Sequence, residues 1–135
     1  MNFTDVTPNL VVSDIERSTA FYRDVLGFAI VANVPEQPPF AFVWLQRGGV
    51  NVFLSTVEAA RHDVAEWGSR AIGGTMGMFI VLEAESVEAG IDALFVSVGS
   101  RARVLIGLRN QFYGMREFTI EDPDGYVVTF AQRIG

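Results

Sequence analysis

One order of elements is written twice along this chain, and a duplicated unit restricts the fold more than any single motif can. The first copy opens with an apolar strand, Thr7 to Val12. Ser13 follows, with Glu16 three residues later, a capping-box pattern that predicts a helix starting near Asp14. Ile15, Phe21, Tyr22, Val25 and Leu26 fall along one helical stripe, and Gly27 stands where a helix-ending glycine belongs. Strands are then predicted over Phe28 to Val34, Phe40 to Leu45 and Val50 to Leu54. Pro35, Pro38 and Pro39 separate the first two, and Gly48-Gly49 the second pair.

The second copy keeps this order. Met78 to Leu82 is a strand, Ser86 an N-cap, and Ile91, Leu94, Phe95 and Val98 a helical stripe closed by Gly99. Val104 to Ile106, Arg116 to Ile120 and Tyr126 to Phe130 are three more strands. Between the last two, Asp122-Pro123-Asp124-Gly125 supplies a fixed φ, side-chain caps and a residue free to take positive φ, the chemistry of a tight turn. The chain therefore reads as βαβββ twice: module one over about 1–55, a linker over 56–77 and module two over about 78–135. In the linker, Thr56 to Trp67 reads as a short helix, and Gly73, Gly74 and Gly77 mark a loop. The fold class is α+β. One helix covers only one face of a sheet, so each module needs a second covering surface, from the other module or another subunit.

Bulk properties exclude several function classes. With no cysteine among 135 residues, neither a disulfide framework nor a thiolate metal site can form. The N-terminus lacks the basic start and apolar run of a signal peptide, and no apolar stretch approaches the ~20 residues of a membrane span; the expectation is a cytoplasmic protein. A net charge of -6 repels phosphate backbones and argues against nucleic-acid binding, while favouring cationic partners at low salt.

Two stretches resemble a known family. Asn9-Leu10-Val11-Val12-Ser13-Asp14-Ile15-Glu16-Arg17-Ser18, running on into Phe21-Tyr22-Arg23-Asp24-Val25-Leu26-Gly27-Phe28, is similar to the opening of proteins of the glyoxalase/bleomycin-resistance/extradiol-dioxygenase (vicinal oxygen chelate) superfamily. Tyr113-Gly114-Met115-Arg116-Glu117-Phe118 and Asp122-Pro123-Asp124-Gly125-Tyr126 are similar to its closing hairpin. The resemblance implies two βαβββ modules forming a cup-shaped mixed sheet with helices on the outer face. It says less about function, because one fold hosts many chemistries.

Metalloenzymes of that superfamily hold a divalent ion with His, Gln or Glu on the first and last strand of each module. Carried onto this sequence, the resemblance places those positions at Thr7, seven before Asp14; Phe79, seven before Ser86; Thr129, four after Gly125; and Phe53, four after Gly49. Two hydroxyls and two phenyl rings cannot hold such an ion, nor can their immediate neighbours. The expectation is therefore no bound metal, no cofactor and no catalytic residue: a binding protein resembling the bleomycin-resistance members. The alternative is a glyoxalase- or dioxygenase-type enzyme of the same fold, for which Glu83, Glu117 and Glu121 are the acid or base candidates. The one histidine, His62, lies on a polar stretch and reads as a surface residue.

Strand alternation then assigns the lining of the cup. Residues in phase with the four positions add Asn9, Asn51, Val81 and Val127, and Phe40, Phe42 and Trp44 share that face. Apolar walls with sparse polar groups suit a small molecule, and aromatic rings suit a planar one. The candidate ligand-binding residues are Phe42, Trp44, Asn51, Phe53, Phe79 and Thr129, with Glu117 as a carboxylate for a cation and Glu121 as the alternative for that role. Phe112 and Tyr113 join them because that segment lines the crevice in bleomycin-resistance-like relatives. The competing reading is a cup filled by Phe53 and Phe79, in which the amides of Asn9 and Asn51 would be stranded. The resemblance also implies a homodimer.

Overall fold

A computed structural model describes all residues, Met1–Gly135. It divides into two compact units, Met1–Ile72 and Gly73–Gly135. Unit one contains β1 (Asn9–Val12), α1 (Ile15–Ala20) running on as a π-helical turn (Phe21–Val25), β2 (Ala29–Val34), β3 (Phe42–Arg47), β4 (Val50–Thr56), α2 (Val57–Asp63) and α3 (Ala65–Gly68). Unit two contains β5 (Gly77–Leu82), a π-helical turn (Glu88–Asp92) leading into α4 (Ala93–Gly99), β6 (Arg103–Asn110), β7 (Met115–Glu121) and β8 (Val127–Arg133).

The two sheets are built alike. Their strand orders are β1-β4-β3-β2 and β5-β8-β7-β6. In each, the first strand runs parallel to the last and the other pairs are antiparallel. The duplication extends to irregularities: both helices contain a π-helical turn, and both edge strands, β2 and β6, shift register against their neighbour. The predicted α+β class and βαβββ repeat are thus what the chain adopts.

Period-2 alternation explains which face each helix covers. In unit one, Leu10, Val12, Val43, Leu45, Val52 and Leu54 are all buried, and α1 packs over β4 with Ile15, Tyr22 and Leu26 buried as the stripe predicts. In unit two, Phe118, Ile120, Val128 and Phe130 are buried beside Ile91 and Val98, and the Phe95 ring meets Phe118 edge-on at 5.1 Å. Glycine is required at Gly90: a Cβ there would stand 2.2 Å from Gln132 Oε1, the atom that accepts the Ile91 N–H at 2.8 Å.

Several local expectations need correction. The N-cap of α1 is Asp14, whose Oδ1 accepts the Arg17 N–H at 3.1 Å. Ser13 instead accepts from the Arg17 guanidinium, and Glu16 accepts the Phe40 N–H, so the capping box does not form. Phe40 precedes β3 and lies outside the sheet. The single helix expected over Thr56 to Trp67 is two helices, broken where Val64 takes an extended backbone. β6 outlasts the predicted Val104 to Ile106 because its polar end still pairs with β7, Arg109 with Glu117 and Asn110 with Arg116. Glu83 lies between β5 and the π-helical turn, not on a strand. No helix is long and apolar enough to cross a membrane.

Candidate functional site

The face of each sheet turned away from its helix carries the side chains of interest. In unit one, β3 and β4 pair antiparallel with Trp44 opposite Phe53 and Gln46 opposite Asn51. Since neighbours across a strand pair on one face are in contact range, the three aromatic residues cluster. Phe53 meets Phe42 edge-on at 5.1 Å between ring centres and Trp44 edge-on at 5.9 Å. All three are only partly buried. Asn51 adjoins this trio: its Oδ1 accepts from Trp44 Nε1 at 2.8 Å and from Gln46 Nε2 at 2.9 Å. Asn9, across from Phe53, accepts from Ser55 Oγ at 2.8 Å.

In unit two, Phe79, Thr129 and Thr119 stand side by side across β5, β8 and β7. The two threonine hydroxyls share a hydrogen bond of 2.8 Å, while the Phe79 ring is 55% exposed. Farther along β7, Glu117 is only 6% exposed, and its Oε2 accepts the Tyr113 hydroxyl at 2.5 Å. That hydrogen bond, burial and the carboxylate charge push the Tyr113 phenol above its ordinary pKa, with Arg109 pulling weakly the other way. Tyr113 lies in the β6–β7 turn, which Gly114 closes at φ +81°, a conformation other residues rarely adopt. Phe112 beside it is 98% exposed, its ring edge-on to Tyr113 at 5.1 Å.

The nine candidate residues thus form three groups: Phe42, Trp44, Asn51 and Phe53; Phe79 and Thr129; Phe112, Tyr113 and Glu117. Alternation had not singled out Gln46, Ser55 or Thr119, which orient these groups. Gln46 lies two residues beyond Trp44 and Thr119 two beyond Glu117, so the same period of two extended one step would have reached both. Glu121 differs from the expectation of a carboxylate available to a cation, because it is paired with Arg103 at 2.8 Å across β6 and β7. His62 is a surface residue of α2 beside Asp63, its side chain 90% exposed.

The sheet register revises one of the four positions at which the resemblance implies metal ligands. Phe79 and Thr129 are direct partners, as first- and last-strand positions should be. The partner of Phe53 is Asn9, whereas Thr7 precedes β1. The count from the helix cap misled because the chain from β5 to Ser86 is two residues longer than that from β1 to Asp14: Glu83, Ala84 and Glu85 against Ser13 alone. The corrected set is Asn9, Phe53, Phe79 and Thr129. One amide, one hydroxyl and two hydrocarbon rings do not fit a divalent transition metal, which needs converging imidazole or carboxylate ligands. Neither unit brings together three or more His, Cys, Asp or Glu side chains that could hold an ion.

Comparison with known proteins agrees with this geometry. The family model of the Glyoxalase/Bleomycin resistance protein/Dioxygenase superfamily matches residues 5–130. A bleomycin resistance protein of Geobacillus stearothermophilus is 28% identical over 134 residues, covering 94% of this chain and 95% of its own. Among solved structures, a protein of unknown function from Agrobacterium tumefaciens str. C58 superposes with TM-score 0.77 at 24% identity, over 99% of this chain and 97% of its own. TnmS3, an antibiotic binding protein from Streptomyces sp. CB03234, superposes with TM-score 0.71 at 24% identity, over 98% of each chain.

Proposed function

This chain belongs to the Glyoxalase/Bleomycin resistance protein/Dioxygenase superfamily, and we propose that it works as a metal-independent binder of a small planar or cationic molecule of antibiotic-like character. The observation that carries this reading is the aromatic trio Phe42, Trp44 and Phe53, partly exposed on a sheet face whose opposite side is the buried core. Rings held edge-on to one another offer faces on which a planar group stacks, with little side-chain freedom left to lose on binding. The chemistry of Asn9, Phe53, Phe79 and Thr129 supports binding without a protein-held metal. The relative from Geobacillus stearothermophilus is a bleomycin resistance protein, and TnmS3 is an antibiotic binding protein of the same fold. Both accord with capture of a compound without chemistry on it. In this proposal unit two offers a face of its own, on which Glu117, held by Tyr113, supplies negative charge to a cationic group and Phe79, Thr129 and Phe112 supply lining. The protein acts in the cytoplasm as a homodimer.

Calorimetric titration against a bleomycin-type glycopeptide, other planar antibiotics and simple aromatic cations tests this reading. The expected result is saturable binding at micromolar ligand or tighter by at least one of them, unchanged by a chelator. No binding across the panel contradicts the proposal.

A further inference from the structure

We infer that the molecule taken on the unit-one face presents a hydrogen-bond acceptor, a carbonyl-type oxygen conjugated to its planar system, to the amide of Asn51. This rests on the reading that the aromatic face binds a planar small molecule and adds which edge chemistry that molecule must carry.

An indole N–H can only donate, so the Asn51 atom 2.8 Å from Trp44 Nε1 must be the amide oxygen. Gln46 Nε2 donates to the same oxygen at 2.9 Å. A carbonyl oxygen has two lone pairs, and both are now used. What remains to Asn51 is Nδ2, with two N–H donors and no partner in the protein. Trp44 therefore fixes the direction of the amide, and together with Gln46 it uses up the accepting capacity of the oxygen. Asn51 lies next to Phe53 on the same face of β4 and opposite Gln46 on β3, so its free donors border the aromatic trio.

Asn9 has the same polarity on the other side of Phe53. Its Oδ1 accepts from Ser55 Oγ at 2.8 Å, and its Nδ2 has no partner. The rings thus have N–H groups at their margins; the Asn51 oxygen has no accepting capacity left, whereas Asn9 Oδ1 keeps one lone pair beside its two free donors. A planar ligand that offered only N–H donors to Asn51 would set donor against donor and leave both sides unpaired, which costs more than an ordinary hydrogen bond contributes. A ligand edged with ketone, quinone, lactam or amide oxygen satisfies both.

9-Fluorenone and fluorene, neutral planar molecules that differ only by a carbonyl in place of a methylene, isolate this chemistry. Their affinities are measured by equilibrium dialysis against the full chain, against Asn51→Asp, which keeps an oxygen for Trp44 but removes the donors, and against Asn51→Ala. Circular dichroism checks that both variants fold. The expected result is a roughly three- to tenfold preference of the natural chain for fluorenone, the size of one net hydrogen bond, and its disappearance in both variants. Equal binding of the two probes by the natural chain overturns this inference while leaving the aromatic binding face intact. Preference retained by both variants overturns the role of Asn51. Failure of both probes to bind overturns both this inference and the reading on which it rests.

Discussion

Across the β6–β7 turn the Glu117 carboxylate holds the Tyr113 phenol in its protonated form. The phenol donates to a carboxylate that is almost wholly buried, so loss of the phenolic proton would set two negative charges against each other. We predict that Glu117→Gln brings the Tyr113 pKa back toward its ordinary value near 10.0, read as an earlier rise of phenolate absorbance on alkaline titration. The sign for stability follows. The folded-state pKa is raised, so the contribution of this pair is complete below the unfolded value of about 10 and fades as pH rises through the folded one. The stability gap between the natural chain and Glu117→Gln should narrow above that pH in denaturant titrations. The sequence had named Glu117 as a carboxylate for a cation. It could not show that Tyr113 returns to it, because that depends on the turn closed by Gly114. For Glu121, the register against Arg103 decides that its charge is taken.

Helix α1 shows how far element boundaries can be read from residue types. Ser13 and Asp14 are both good capping residues, and the Ser13/Glu16 spacing favoured the wrong one. Backbone geometry selects Asp14. Accordingly Asp14→Ala should lower stability by about 1 kcal/mol, as loss of a helix cap does, whereas Ser13→Ala should change it far less; chemical denaturation separates the two. The helical stripes were legible because burial of Ile15, Tyr22 and Leu26 follows the 3.6-residue period. The π-helical turns were not, since nothing in residue order marks the extra residue in a turn. The second depends on Gly90, where an added Cβ would collide with Gln132 Oε1 and with the Ala84 Cβ, 2.7 Å away. Gly90→Ala should therefore cost about 1–3 kcal/mol by overpacking, despite the better helix propensity of alanine. A melting temperature at or above that of the natural chain would show that Gln132 moves aside.

At the scale of the whole molecule, the duplicated βαβββ order was the most legible feature. It survives in two sheets with the same strand order, the same parallel closing pair and the same edge irregularity. The site was legible only as a list. Alternation named Phe42, Trp44, Asn51 and Phe53, and the β3–β4 register makes them neighbours with fixed hydrogen-bond directions. The Thr7 position failed because the two copies differ in the length of one connection, a difference that strand pairing alone reveals. The net charge of -6 adds a further expectation: cationic ligands should bind more weakly as salt rises from low to physiological strength, while neutral planar ones should not. The central claim is that a planar compound binds on the aromatic face without a metal held by the protein. The most direct test uses Trp67→Phe, which leaves Trp44 as the sole indole, titrated with the panel compound that binds most tightly by calorimetry while fluorescence is recorded with and without chelator. The account predicts saturable quenching of Trp44 with the same midpoint in both conditions. A midpoint that chelator shifts, with metal found on the protein rather than on the ligand, would contradict it, as would binding that leaves Trp44 emission unchanged.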